Sequence, residues 1–124
     1  MNAVVTDKAP SAIGPYSQGM KTGTLIFFSG QLGVDPATGK MAGDDVKSQA
    51  NQVLKNVKGL LESQGLTMNS VVKSTMFLAD MGDFKEVNAI YEAAFGTHRP
   101  ARSTIQVARL PIDARVEIEC IAEI

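Results

Sequence analysis

The sequence predicts an α+β fold in two layers, a sheet with helices packed on one face. Two stretches carry helical apolar spacing, each followed by a strand-like segment, on a mostly extended background. The run Leu25-Ile26-Phe27-Phe28 is apolar on consecutive positions, so its strand has two apolar faces and needs cover on both sides.

The elements follow in chain order. Val4–Thr6 reads as a short strand, and the Pro/Gly-punctuated stretch APSAIGPYSQG leads to a second extended segment ending in a Thr22-Gly23 turn. Thr24–Ser29 is the two-sided strand, and VDPATGK is a turn. From Asp44 the period changes. Val46, Ala50, Val53, Leu54, Val57, Leu60 and Leu61 fall on one helical stripe, with Asp44 or Asp45 as N-cap and Gly65 as the C-terminal stop. Val71–Ala79 alternates as a strand, with Val72, Met76 and Leu78 read on one face and Val71, Thr75 and Phe77 on the other. A second helix carries Phe84, Val87, Ile90, Tyr91, Ala94 and Phe95 on its apolar stripe and stops at Gly96. The last segments, Ala101–Val107 and Arg115–Ile124, read as a β-hairpin turning around Leu110-Pro111-Ile112-Asp113.

Length and composition bound the chemistry. A chain of 124 residues with 44% apolar side chains makes one domain, 1–124, with a real core. One histidine (His98) and one cysteine (Cys120) cannot build a Cys/His zinc site, a disulfide framework or a CxxC pair, so an enzyme of this composition is expected to work without the usual imidazole and thiol machinery. A net charge of −1 without a basic tract argues against a dedicated nucleic-acid or membrane-surface module. No apolar run is long enough to span a bilayer, and the opening MNAVVTDKAPSAIG lacks the apolar centre of a secretory leader. A cytoplasmic protein is the expectation.

In the final strand Val116, Ile118, Cys120, Ala122 and Ile124 alternate with Arg115, Glu117, Glu119, Ile121 and Glu123. If Ser103, Ile105 and Val107 face the helices as well, then Arg102, Thr104 and Gln106 share the outer face with Glu117 and Glu119. Arg102 then sits opposite Glu119, or opposite or near Glu117. All four arginines (Arg99, Arg102, Arg109, Arg115) cluster here, and Arg suits bidentate capture of a carboxylate or phosphate. A solvated charged face accounts for this pattern; so does a pocket at a subunit interface, which the two-sided strand favours. His98 fits a surface loop better than a catalytic role, Cys120 fits the core, and Tyr16 either packs a turn or lines a site. The Gly14–Gly19 spacing is P-loop-like but lacks the Lys-Ser/Thr pair and a following helix.

PARSTIQVARLP at 100–111, with VEIECIAEI behind it, strongly resembles the RidA/YjgF family of reactive-intermediate deaminases. AIGPYSQG, FSGQLGVDPATGK, QANQVLKNVKGLLESQGL and FKEVNAIYEAAF extend the resemblance over essentially the whole chain. It implies a chorismate-mutase-like fold, a six-stranded mixed sheet with two helices on one face, assembled as a homotrimer with sites in the clefts between subunits. The implied activity is hydrolysis of 2-imino acids, tautomers of enamines released by pyridoxal-phosphate enzymes, to 2-oxo acids and ammonia, for which no metal or organic cofactor is required. The family's carboxylate-binding arginine falls on Arg102, and its acid beside the attacking water falls on Glu117. Tyr16, Ser29, Gly30 and Asn88 match pocket-lining positions, and backbone groups near Gly30 and Ser103 would complete the hydrogen bonding. Thr104 stands where many members carry cysteine, which implies altered pocket polarity. The Gly96–Arg99 connection is shorter than in some members. Three other functions suit the same fold: a non-catalytic trimer that binds 2-oxo acids, the endoribonuclease or translation-inhibitor activity attributed to some relatives, and a trimeric chorismate mutase, which gives no reason for this Arg motif.

Overall fold

The first long helix forms because its apolar stripe is complete. Val46, Ala50, Val53, Leu54, Val57, Leu60 and Leu61 are all buried, each large side chain contributing about 1.5–3 kcal/mol. In the computed structural model, which describes residues 1–124, this is α1 (Val46–Ser63). The Asp45 side chain caps its first turn by accepting from the Ser48 N–H at 2.9 Å. At the other end Gly65 takes φ +73°, and the Leu66 and Gly65 amides return to the Leu61 and Glu62 carbonyls. That is a Schellman stop, which a side chain at Gly65 would strain.

The remaining elements are β1 (Asn2–Val4), β2 (Gly19–Thr22), β3 (Leu25–Gln31), β4 (Val34–Asp35), β5 (Lys40–Met41), β6 (Val71–Leu78), α2 (Phe84–Phe95), β7 (Ala101–Gln106) and β8 (Val116–Glu123). Six strands form one sheet in the order β1-β2-β3-β8-β6-β7, and β4 and β5 make a separate ribbon. Only β6 and β7 are parallel, joined by α2 as the crossover; every other pairing is antiparallel. The sheet is therefore mixed. Apolar residues of both helices share one core with Ile26, Phe28, Met76, Leu78, Val116, Ile118, Cys120 and Ala122, so both helices cover the same face.

Two sequence-derived details are corrected. No terminal hairpin forms: β8 inserts between β3 and β6, while β7 lies on the far side of β6 at the sheet edge. Residues 107–115 are too long for a tight turn. They cross the end of β6, where the Val107 amide bonds the Leu78 carbonyl and the Ala79 amide bonds the Arg115 carbonyl. Arg102 pairs in register with Ser74, and Thr104 with Met76, so Arg102, Thr104 and Gln106 face the helix side. Ser103 and Ile105 face outward, opposite to the expectation. The second correction lies in β6, where a register shift between Val71 and Lys73 buries Val71 completely and leaves Val72 41% exposed. A bulge adds one residue and reverses the parity behind it.

The outer face carries Phe27 and Ile105, 45% and 46% exposed, as the two-sided strand requires. Three buried amides fix the loops around the sheet. Asn56 donates to the Leu32 and Val34 carbonyls at 3.1 and 2.8 Å. Gln49 donates to the Gly43 carbonyl and accepts from the Arg115 N–H. Gln18 accepts from the Thr6 N–H at 2.8 Å and donates to the Pro10 carbonyl at 2.8 Å. No helix is long and apolar enough to cross a membrane.

Candidate active site

Arg102 projects from edge strand β7 onto α2. The helix presents Phe84, Asn88 and Tyr91 at i, i+4 and i+7, one stripe facing the guanidinium. Asn88 Oδ1 accepts from Arg102 Nη1 at 2.8 Å. The Arg102 Cζ lies 4.8 Å from the Tyr91 ring centroid and 5.6 Å from that of Phe84. Below, the Tyr91 hydroxyl and buried Ser74 Oγ share a hydrogen bond of 2.7 Å. Burial pushes the Tyr91 phenol above its ordinary pKa, against the opposing effects of Ser74 and Arg102.

The charge on Arg102 has no acid partner in the chain. Arg99 pairs with Glu92, Arg109 with Asp113 and Arg115 with Asp83. Arg102 alone of the four arginines forms no ion pair, and its only hydrogen bond engages one Nη1 proton. The edge of the guanidinium bearing Nε and Nη2 keeps its donors. Asn88, Tyr91, Glu92, Arg99, Pro100 and Arg102 line a polar cavity of about 320 Å³. A larger groove of about 570 Å³ runs between α1 and α2, floored by Leu54, Met68, Ile90 and alanines; it carries no chemistry of this kind.

The second group of residues lies on the opposite face of the sheet. The β3–β8 register shifts between Phe28 and Gln31, and Gly30 sits in that irregularity. The Glu117 carboxylate packs directly on the Gly30 Cα: a Cβ there would overlap Glu117 Oε2 and lie 2.9 Å from its Cδ. Burial raises the Glu117 pKa, and neighbouring Glu119 adds to the effect. Glu117 therefore holds its proton to higher pH than an ordinary glutamate.

The other expected positions divide by what their polar atoms touch. Ser29 Oγ donates to the Ser17 carbonyl at 2.6 Å, pinning the loop that carries Tyr16. Tyr16 is 54% exposed, and its hydroxyl accepts from the Ile13 N–H at 3.3 Å. Ser103 Oγ accepts from Lys73 Nζ at 3.3 Å on the outer face. Thr104 Oγ1 is buried without a hydrogen-bond partner. Cys120 is 3% exposed, and burial pushes its thiol up to about 12. His98 is half-buried, with Nε2 2.7 Å from the Val71 carbonyl. No three His, Cys, Asp or Glu side chains gather as metal ligands do.

The fold thus joins Arg102 to Asn88, and Glu117 to Gly30. It separates the two pairs. The shared outer face expected for Arg102 and Glu117 does not exist within one chain, because β6 stands between their strands and their side chains point to opposite faces. Phe84, Tyr91 and Ser74 were not among the expected site residues. The usable signal was Asn88, a polar residue at helical spacing between two aromatics.

A clamped guanidinium without an acid of its own, on the edge of a mixed six-stranded sheet, defines a small α+β domain equipped to hold an organic anion. The chain belongs to the RidA/YjgF family: the family profile described as Endoribonuclease L-PSP matches residues 6–124. It is 51% identical over 122 residues to the 2-iminobutanoate/2-iminopropanoate deaminase of Salmonella typhimurium, covering 96% of this chain and 94% of that one. It is 54% identical over 119 residues to the chloroplastic Reactive Intermediate Deaminase A of Arabidopsis thaliana. That match covers 96% of this chain but 64% of the plant protein, so the chain spans under two thirds of that relative's length. The crystal structure of the Escherichia coli YjgF gene product superposes with a TM-score of 0.94 at 48% identity, covering 99% of this chain and 98% of that one. Escherichia coli TdcF with bound serine superposes with a TM-score of 0.95 at 42% identity, covering 100% and 99%.

Proposed function

We propose that this protein hydrolyses small 2-imino acids, among them 2-iminobutanoate and 2-iminopropanoate, to 2-oxo acids and ammonia. The observation that carries the reading is Arg102, half-buried, contacted by Asn88, Tyr91 and Phe84 and the one arginine without an acid partner. Relatives at about half identity bear the name of this activity.

The chemistry asks for orientation and one proton relay. Arg102 takes the substrate carboxylate through Nε and Nη2 in two charge-assisted bonds. The carbon of the C=N bond is then held for a single water, and fixing that approach supplies much of the acceleration. Glu117, its proton affinity raised by burial, orients the water and passes its proton toward nitrogen. The C–O bond forms as the C=N π pair moves to nitrogen. The tetrahedral adduct then gives its hydroxyl proton to nitrogen through the same carboxyl group, and ammonia leaves with the C–N pair as the oxygen lone pair forms the C=O bond of the 2-oxo acid. An enamine enters the same path after protonation at its terminal carbon.

A site that uses both Arg102 and Glu117 draws them from two copies, because one chain holds them on opposite faces of its sheet. A homotrimer with clefts between subunits meets that requirement and covers the Phe27 and Ile105 face. The geometry favours a small anion over a polynucleotide. Three arginines are neutralised by acids, and the one imidazole lies against the Val71 carbonyl.

The test is imine lifetime in an assay coupled to a threonine or serine dehydratase. The wild-type protein shortens that lifetime, and Arg102→Ala, still assembled, does not. Full activity in Arg102→Ala refutes the assignment.

A further inference from the structure

We infer that Tyr91 and Phe84 are positioning residues that set the anion affinity of Arg102 by packing their aromatic rings against its guanidinium. This rests on the imine-hydrolase reading above and extends it to residues that act through Arg102.

An arginine on an edge strand has many rotamers, and ordering it costs conformational entropy each time a ligand binds. Here the ordering is built in. Tyr91 lies 4.8 Å beneath the guanidinium carbon and Phe84 5.6 Å from it, both within cation–π range. Tyr91 is itself fixed: it is 6% exposed, stacks on Phe95 at 4.4 Å, and is tied by its hydroxyl to Ser74. Ser74 is the residue paired with Arg102 across β6 and β7. The tether and the clamped side chain therefore start from the same register position. Both rings lie within cation–π range of the guanidinium and Asn88 engages Nη1, so the Nε–Nη2 edge is left for a planar carboxylate.

An interaction that orders Arg102 before binding acts equally on the ground and transition states. Its loss raises KM and leaves kcat nearly constant. A purely structural role behaves differently, lowering the active fraction and hence apparent kcat while KM stays fixed. Tyr91→Leu, which keeps bulk and removes the ring, is expected to raise KM by about 5- to 30-fold. Tyr91→Phe, which keeps the ring and loses only the tether, recovers KM to within about threefold of wild type. Phe84→Leu, at a less buried position, raises KM by about 2- to 10-fold and carries the test with Tyr91→Phe if Tyr91→Leu does not fold.

The experiment measures kcat and KM of these variants with 2-iminobutanoate, together with the Kd of 2-oxobutanoate by calorimetry. The expected result is a parallel rise of KM and Kd in the ring-deleting variants, with rescue by Tyr91→Phe. Wild-type KM and Kd in folded Tyr91→Leu or Phe84→Leu overturn the inference. If wild type leaves imine lifetime unchanged, the hydrolase reading fails; the Kd series then decides the clamp by the same criterion.

Discussion

Substituting Gly30 by alanine isolates the seat of Glu117, the proposed site acid. A methyl group at that position would overlap Glu117 Oε2 and approach its Cδ to 2.9 Å. Carbon–carbon contacts settle at about 3.5–4.0 Å, so the carboxyl group must retreat by about 1 Å. The obstructing atoms belong to the end of a flexible side chain, which swings aside at little cost to the fold. If Glu117 orients the attacking water as proposed, a displacement of about 1 Å costs on the order of 100-fold in rate. Gly30→Ala is therefore expected to lose about 100-fold in kcat for 2-iminobutanoate while its melting temperature changes by only a few degrees. Adding Gly30→Ala to Glu117→Gln should cost little more, because both changes act through one carboxyl group. The assay is single-turnover decay of imine generated by the dehydratase, beside thermal denaturation of the same samples. Wild-type kcat in Gly30→Ala, or full multiplicative loss in the double variant, refutes the proposed seat.

Two further expectations concern the fold that carries the site. Burial raises the Glu117 pKa in the folded chain, so its protonated form favours folding. That contribution is complete below the unfolded carboxylate value, about pH 4.3, and is lost as pH rises through the folded value. Glu117→Gln should melt a few degrees above wild type at neutral pH. The gap should close as pH falls into the acid range, and a gap independent of pH contradicts the assignment. Asn56→Leu leaves the Leu32 and Val34 carbonyls without their donors and is expected to cost about 2–4 kcal/mol in denaturant unfolding; a loss below about 0.5 kcal/mol shows that other donors replace it.

Legibility of this chain in its sequence followed the range of the interactions involved. Both helices were readable because their apolar spacing is local, and the α1 stripe is buried residue for residue. The inward set Val116, Ile118, Cys120 and Ala122 was readable for the same reason. Strand partners were not, since alternation fixes parity within a strand but says nothing of its neighbour. The hairpin reading of β7 and β8 failed on that point, and so did the inward placement of Ile105. Arg102 inverted the usual rule: a cation faces the core side because Tyr91, Phe84 and Asn88 receive it. The Val71 bulge escaped for a simpler reason, because one extra residue leaves no compositional mark. Resemblance supplied Arg102 and Glu117 as site residues, but only the sheet order placed them on opposite faces.

That separation makes subunit complementation the most direct measurement. Arg102→Ala and Glu117→Gln, each inactive alone, are unfolded together in equal amounts, refolded and assayed for imine hydrolysis. If each site takes Arg102 from one copy and Glu117 from its neighbour, random assembly restores both residues to about a quarter of the sites. Activity should return to about that fraction of wild type. Activity no greater than the sum of the two variants would place both residues of a working site in one chain, and would contradict the account.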